Sequence, residues 1–286
     1  MTTASDNPSN NESINAEQIE IVLDRCEEIA YKIRTAVNTI DRETRISYAI
    51  NPTHTHANQY EIDVIADAIL TQSCEGFKGC VVSEEQPIDK EALQHNSLWL
   101  IVDPIDGSTN ASKGLGYWSF SAALVSKGVV VGGVVVDQTT GNVYRASGIG
   151  GVSYKNVKTG IVDNLMDINI TNLTPGTIAD NLNSSTVNFN SHVGPPMPFR
   201  HLRNLGSSAL AICDVARSAL DLYVDDKDVM LNPWDYLAAE YIAKMAGATV
   251  KRRDAEGILV SSGIMAYRSF SLDEVLVKIF PEYFIN

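Results

Sequence analysis

Residues 98–110 read LWLIVDPIDGSTN. The apolar run Leu98–Val102 predicts a strand that is buried on both faces. Asp103 and Asp106 follow it, and the proline between them restricts the backbone. Gly107 then permits a sharp turn, and the hydroxyl residues after it favour the start of a helix. We therefore predict a buried strand that carries two carboxylates to a tight turn.

Two chemical roles suit such a turn. Two carboxylates and nearby backbone carbonyls can hold a hard divalent cation, and the free N–H groups of a helix start can bind a phosphate. A cation beside a phosphate is the basic equipment of phosphoryl transfer or hydrolysis. The alternative is a strand that simply ends in a polar turn, because Asp-Pro and Asp-Gly are common turn formers.

Composition and charge set outer limits on function. The chain has 286 residues, 44% of them hydrophobic, so it can bury the core of one large domain or two modest ones. Its formal net charge of -13 argues against a nucleic-acid backbone as partner. No apolar run approaches the roughly 20 residues that cross a membrane. The four cysteines form no C-x-x-C pair, and we expect reduced thiols in a cytoplasmic protein without a secretion signal.

The chain divides by pattern into a tail and two subdomains. Residues 1–15 are polar and predict a disordered tail. Residues 16–160 combine helices with strands in an antiparallel meander, and a glycine-rich stretch ends them. Residues 161–286 alternate weaker strands with helices, whereas residues 181–198 are polar and predict a loop. A layered α/β or α+β fold with a subdomain junction near Gly160 follows.

Individual elements follow from hydrophobic periodicity. Helices are predicted at residues 16–38, 59–72, 207–218, 233–246 and 272–280. Strands are predicted at residues 80–83, 98–102, 117–127, 129–137, 142–146, 220–224, 248–250, 258–260 and 264–266, with weaker candidates at 167–170 and 177–179. Asn58 is expected to cap the second helix, with Glu61 completing a capping box.

Three acidic clusters share one kind of position. Glu84 and Glu85 end an apolar run, Asp103 and Asp106 end another, and Asp235 opens a helix. Each can present a carboxylate at the mouth of a sheet, where open α/β sheets bind their ligands. One such carboxylate alone is an ordinary cap or a solvated charge, but the three clusters together indicate a site.

Three motifs resemble those of the inositol monophosphatase family. Residues 103–110 are similar to its D-P-[IL]-D-G-T-x-N signature, residues 206–221 resemble its second characteristic region, and residues 234–247 resemble its C-terminal signature. The likeness runs from about residue 16 to 280. It implies a layered αβαβα sandwich with an active site between two subdomains. It also implies Mg²⁺-dependent phosphomonoester hydrolysis, usually in a homodimer.

The resemblance also implies roles for single residues. The implied metal ligands are Glu84, Asp103, the backbone carbonyl of Ile105, Asp106 and Asp235. The implied phosphate-binding turn consists of Gly107, Ser108, which replaces the usual Thr but keeps its hydroxyl, and Thr109. Glu84 and Ser108 would orient the attacking water. Glu85 would be structural.

Position 58 departs from the family pattern. Many relatives place an Asp there that assists a third, weakly bound Mg²⁺, whereas this chain has Asn58. A neutral amide is a poorer ligand for a hard cation, so we expect a weak or missing third metal site. His54 and His56 lie nearby, but imidazole suits Mg²⁺ poorly and they are interpreted as ordinary loop residues.

Substrate choice rests on weaker signals. Asp228 lies seven residues before Asp235, where inositol phosphatases often carry a polyol-binding Glu; the alternative is a solvated acidic loop. Arg203 is a candidate substrate contact or a structural residue. The default substrate is inositol monophosphate, a small phosphorylated metabolite. Histidinol phosphate, a nucleotide 3'-phosphate and an aminocyclitol phosphate are alternatives, and a non-catalytic binding or regulatory protein is the second class.

Overall fold

Layers of helix and sheet alternate in the computed structural model, which describes residues 14–48, 59–86, 88–89, 91, 94, 96–167, 186–190, 199, 201–254, 257–268 and 273–284. The helices are α1 Ala16–Thr39, α2 Arg42–Ile46, α3 Glu61–Ser73, α4 Ser108–Lys113, α5 Ser208–Ala216, α6 Pro233–Met245 and α7 Asp273–Ile279. The strands are β1 Cys80–Ser83, β2 Leu98–Asp106, β3 Ser119–Ser126, β4 Val129–Asp137, β5 Val143–Ser147, β6 Gly151–Lys155, β7 Val162–Asn164, β8 Thr186–Asn190, β9 His201–Arg203, β10 Leu222–Asp225, β11 Thr249–Arg252 and β12 Ile264–Tyr267.

The buried side chains of β2 show how the layers are held together. Leu100 and Val102 point to one face of their sheet and pack with α1 and α3. Ile101 points to the other face and packs with α5 and α6, which also contact the second sheet. The far face of that second sheet is covered by α7, whose Leu276 packs against Leu222. The order is helix, sheet, helix, sheet, helix, which confirms the predicted αβαβα sandwich.

The first sheet has seven strands in the order β1-β2-β3-β4-β5-β6-β7. β1 runs parallel to β2, with Ser83 opposite Val102. The other pairs are antiparallel, which confirms the predicted meander. Because β1 and β2 are parallel, the residues that follow Ser83 and Val102 lie at the same end of the two strands. These residues are Glu84, just after β1, and Asp103, still within β2.

Strand β2 is four residues longer than predicted and reaches Asp106, which pairs with Ser119. The pairing register shifts between Asp103 and Asp106. Pro104 lies in this interval and has no N–H to donate to the ladder. The Asp103 Oδ1 atom instead accepts the N–H of Ile105 at 2.9 Å. The irregularity at Pro104 therefore fixes the orientation of the Asp103 carboxylate.

The second sheet has five strands in the order β11-β12-β10-β8-β9. Its strand β8, Thr186–Asn190, lies within the segment 181–198, so the prediction of a loop there is wrong. β8 pairs in parallel with β10 and β9, and Val187 and Phe189 are buried. The alternation of the apolar residues Val187 and Phe189 with polar residues is a strand signal, but the polar residues around this strand obscured it. The predicted strand at 258–260 is also wrong, because these residues adopt no strand conformation.

Helix α3 begins later than predicted. Its N-cap is Tyr60, and the Tyr60 N–H donates to the Oδ2 atom of Asp63 at 3.0 Å. The predicted cap at Asn58 is therefore wrong. Residues 54, 56 and 58 lie outside the described residues, as do 168–170 and 177–179. Among the described helices, none is long and apolar enough to cross a membrane.

Candidate active site

Three carboxylates from three different elements meet at one edge of the first sheet. Glu84 follows β1, Asp103 lies in β2, and Asp235 lies in the first turn of α6. One carboxylate oxygen from each lies within 4.8 Å of the other two. The Asn232 N–H donates to the Asp235 Oδ2 atom at 2.7 Å, which holds this carboxylate at the helix start. Three of the predicted ligands are thus brought together.

Asp106 is held more tightly than the sequence suggests. Its Oδ2 atom accepts hydrogen bonds from the Ser207 hydroxyl at 2.5 Å, the Ala209 N–H at 2.9 Å and the Ser119 hydroxyl at 3.1 Å. Among the described residues, its Oδ1 atom accepts a single hydrogen bond, from the Ser208 N–H at 3.2 Å. Because a carboxylate oxygen has two lone pairs, the Oδ1 atom keeps one for a further ligand. Asp106 therefore joins β2 to the start of α5 and can still bind a cation.

Burial and mutual repulsion disfavour the charged forms of this cluster. Desolvation raises the pKa of Glu84 to about 7 and that of Glu85 to about 8. Burial also raises the pKa of Asp103 and Asp235 well above the ordinary value, and the charge of Glu84 adds to the effect on both. A divalent cation would remove this penalty. The donors are all oxygen atoms, which fits Mg²⁺.

The turn after β2 depends on a glycine. Gly107 has φ 96°, in the left-handed region, and a Cβ atom there would lie 2.8 Å from the Gly206 carbonyl oxygen. The turn leads into α4, and the Asn110 side chain ties it down by donating to the Leu205 carbonyl at 2.7 Å and the Tyr117 carbonyl at 2.8 Å. The second sequence motif, around Gly206, therefore lies directly against the first.

Ser108 and Thr109 form the first turn of α4. The Ser108 hydroxyl donates to the Ile105 carbonyl at 3.0 Å, so two of the predicted site groups contact each other. Ser108 is half-buried and Thr109 is exposed. The backbone N–H groups that start this helix have no carbonyl partner within it and are available for an anion.

Asp63 was not identified from the sequence. It lies on the buried face of α3 between Ile62 and Ala66 and is 3% exposed. Desolvation raises its pKa to about 6, and the adjacent Ser108 hydroxyl opposes this rise. The charge of Asp63 also raises the pKa of Glu84, which places it beside the carboxylate cluster. An acid among the apolar residues of a helix was the signal that could have revealed it.

The two predicted substrate contacts lie at the surface. Arg203 is exposed in β9, and its guanidinium donates to the Leu202 carbonyl at 2.9 Å. Asp228 is exposed in the turn after β10. The inward-facing acid of that region is Asp225, which is fully buried and accepts the Ile264 N–H at 2.7 Å. Asp228 does not belong to the group of three carboxylates.

The raised carboxylate pKa values predict how pH affects stability. The folded protein without metal binds more protons than the unfolded chain above the ordinary Glu pKa of 4.5 and up to about pH 8. Its free energy of unfolding should therefore fall as pH rises through this window. Mg²⁺ competes with these protons, so adding it should raise the melting temperature more at pH 8 than at pH 6. Thermal unfolding with and without Mg²⁺ checks this, and equal shifts at both pH values would contradict it.

Comparison with known proteins places this chain in a family. The model of the inositol monophosphatase family matches residues 18–283. The chain is 30% identical over 216 residues to the Nus factor SuhB of Pasteurella multocida, covering 75% of this chain and 79% of the relative. It is 28% identical over 198 residues to the inositol-1-monophosphatase of Mycobacterium leprae, covering 67% and 65%.

The fold is similar to solved structures over nearly its whole length. The Thermotoga maritima IMPase TM1415 aligns with a TM-score of 0.69 and 22% identity, covering 92% of this chain and 98% of that one. The family model spans all three sequence motifs and every element that contributes to the carboxylate cluster. The chain belongs to the inositol monophosphatase family.

Proposed function

We propose that the protein is a Mg²⁺-dependent phosphomonoesterase that hydrolyses a small polyol or sugar phosphate, with inositol monophosphate as the default substrate. The observation that carries this proposal is the meeting of Glu84, Asp103 and Asp235 within 4.8 Å of one another. Next to them, the turn at Gly107 starts a helix whose N–H groups can bind a phosphate. A pure binding module has no need to gather like charges in this way.

Different residues of the chain would bind each of two Mg²⁺ ions. Glu84 and Asp103 would hold one Mg²⁺, and Asp103, Asp106 and Asp235 a second, with the Ile105 carbonyl as an additional ligand. When bound, Mg²⁺ supplies Lewis-acid chemistry: it lowers the pKa of a coordinated water and offsets negative charge on the phosphate and the leaving oxygen.

Other groups orient the reactants. The N–H groups of Gly107, Ser108 and Thr109 would bind the phosphate oxygens, because the N–H groups at a helix start have no carbonyl partner within the helix. Glu84 and the Ser108 hydroxyl would orient the water for in-line attack on phosphorus. For the leaving group, Asp228 and Arg203 are the proposed contacts. Since both lie at the surface, they would contact only a substrate that reaches beyond the carboxylate cluster.

A phosphate-release assay on four classes of substrate tests this function. The panel contains inositol monophosphate, histidinol phosphate, a nucleotide 3'-phosphate and an aminocyclitol phosphate, each with Mg²⁺. We expect release from at least one polyol or sugar phosphate, and the preferred compound identifies the leaving group. If Mg²⁺ binds but no phosphate is released from any of them, the protein is a non-catalytic member of its family and the proposal fails.

Assembly and location are also proposed. The family resemblance supports a homodimer, and the four free cysteines Cys26, Cys74, Cys80 and Cys213 suit a reducing cytoplasm. Sedimentation of the purified protein at micromolar concentration distinguishes a dimer from a monomer.

A further inference from the structure

Tyr117, in the loop between α4 and β3, has a strained backbone. Its φ is 73°, in the left-handed region, which is an outlier for a residue with a bulky side chain. Such strain persists only where the surroundings impose it, and it is found most often at functional sites. Three hydrogen bonds hold the residue. Its N–H donates to Thr139 Oγ1 at 3.0 Å, its carbonyl accepts the Asn110 amide at 2.8 Å, and its hydroxyl donates to Asp214 Oδ2 at 2.8 Å.

The carbonyl of Tyr117 is tied to the turn at the start of α4. Asn110 follows residues 107–109 directly in the chain. Its side-chain nitrogen carries two protons and donates to two carbonyls, those of Tyr117 and Leu205. A movement of the Tyr117 carbonyl therefore pulls on the first turn of α4, where the N–H groups proposed to bind phosphate lie.

Asp214 is a buried acid on α5, and the other residues from Ala209 to Ala216 are apolar. Its Oδ1 atom accepts the Tyr144 hydroxyl at 2.6 Å and the Arg217 Nε–H at 3.0 Å, whereas its Oδ2 atom accepts the Tyr117 hydroxyl. Apolar residues of similar size often stabilise a protein as well as a buried ion pair does. Stability alone therefore does not explain this carboxylate, and its contact with a strained residue indicates another role.

We propose that Asp214 is a positioning residue for the phosphate-binding turn: it holds Tyr117 in its strained conformation, and Tyr117 in turn holds Asn110. The inference rests on the proposed function, because it assumes that residues 107–109 bind phosphate. The Asp214 carboxylate fixes the far end of the Tyr117 side chain, so the Cα–Cβ bond cannot swing to the direction that a relaxed backbone would give it.

Tyr117→Phe tests this link, because it removes the hydroxyl and keeps the ring. The probe is inorganic phosphate, titrated calorimetrically into the Mg²⁺-saturated protein. We expect the phosphate affinity to fall about tenfold, because a displaced turn weakens several N–H contacts at once. The Mg²⁺ affinity should not change, since Asp103 and Asp235 are held by other contacts. On a panel substrate that is turned over, kcat/KM should fall by the same factor.

Tyr144→Phe is the matched control, because it removes the other tyrosine hydroxyl from the same carboxylate. The Asp214 Oδ1 atom keeps its contact with Arg217, and the Tyr144 backbone lies in the regular strand β5. Both variants should lower the melting temperature, since each takes a hydrogen bond from a buried carboxylate. Only Tyr117→Phe should weaken phosphate binding, which separates positioning from general stability.

Asp214→Leu completes a double-mutant cycle. It removes the acceptor of the Tyr117 hydroxyl and should also lower the phosphate affinity about tenfold. The double variant should bind phosphate no more weakly than Asp214→Leu alone. If the two losses multiply instead, Asp214 does not act through Tyr117 and the inference is wrong.

Two further results would overturn the inference. One is a Tyr144→Phe variant that weakens phosphate binding as much as Tyr117→Phe does. The other is a wild type that binds no phosphate in the presence of Mg²⁺, because the turn would then not be a phosphate site. A wild type that binds phosphate but releases none from the panel substrates refutes the proposed function alone, and the titrations still decide the role of Asp214.

Discussion

The variant Asp103→Asn should lose at least about a thousandfold in kcat/KM, which corresponds to about 4 kcal/mol of transition-state stabilisation. Asp103 lies in β2 and is 2% exposed. Water therefore cannot take the place of its negative charge in the variant. It is the proposed ligand common to both metal ions. An amide there cannot supply the same charge to either one.

The fold should tolerate this change. The amide oxygen of Asn can still accept the Ile105 N–H, which the Asp103 Oδ1 atom now accepts at 2.9 Å. Removing a buried like charge also relieves repulsion with Glu84, so the melting temperature without metal should not fall. The matched control is Asp163→Asn, an exposed residue of β7 at the far edge of the same sheet, which should keep full activity. A near-wild-type kcat in Asp103→Asn would show that the metal assignment is wrong.

Gly107→Ala should give the second largest effect, with losses in both stability and activity. Its left-handed backbone is unfavourable for Ala by roughly 1–2 kcal/mol. In addition, the new Cβ atom would lie 2.8 Å from the Gly206 carbonyl, which is a backbone atom and cannot swing away. The turn must shift, and a displacement of about 1 Å at a reacting site can cost roughly a hundredfold in rate.

A second glycine separates these two causes. Gly76 has φ 81°, and a Cβ atom there would meet nothing within 4 Å. Gly76→Ala therefore carries the backbone strain without the clash and lies away from the carboxylate cluster. We expect a small drop in melting temperature and unchanged kcat/KM for Gly76→Ala, against a larger drop and a loss of about a hundredfold for Gly107→Ala. If both variants behave alike, the close contact with Gly206 does not shape the site.

Much of the fold could be predicted because hydrophobic periodicity and turn residues act locally. The buried run Leu98–Val102 predicts β2, and the spacing of apolar residues predicts α1 and α6. The carboxylates at the ends of β1 and β2 could be predicted to meet only on the assumption that the two strands are parallel neighbours, which the structure confirms. Strand β8 was missed because its stability comes from the strands on either side of it.

The parts of the site that escaped prediction depend on contacts distant in sequence. Asp106 accepts hydrogen bonds from Ser119 and from the start of α5, about a hundred residues later. Asp63 lies near Ser108 because α3 contacts α4. The position of Asp63 between the apolar residues Ile62 and Ala66 predicts that it is buried, but not which groups it meets. Tertiary packing brings it beside Glu84 and so makes it part of the site.

The metal requirement of catalysis tests the central claim most directly. The purified protein is treated with excess chelator, the chelator is removed, and Mg²⁺ is added back in steps while phosphate release from the preferred panel substrate is measured. We expect no turnover after chelation and full recovery with Mg²⁺, because the proposed site offers only oxygen ligands, and its carboxylates repel one another without a cation. An undiminished rate in excess chelator would contradict the claim.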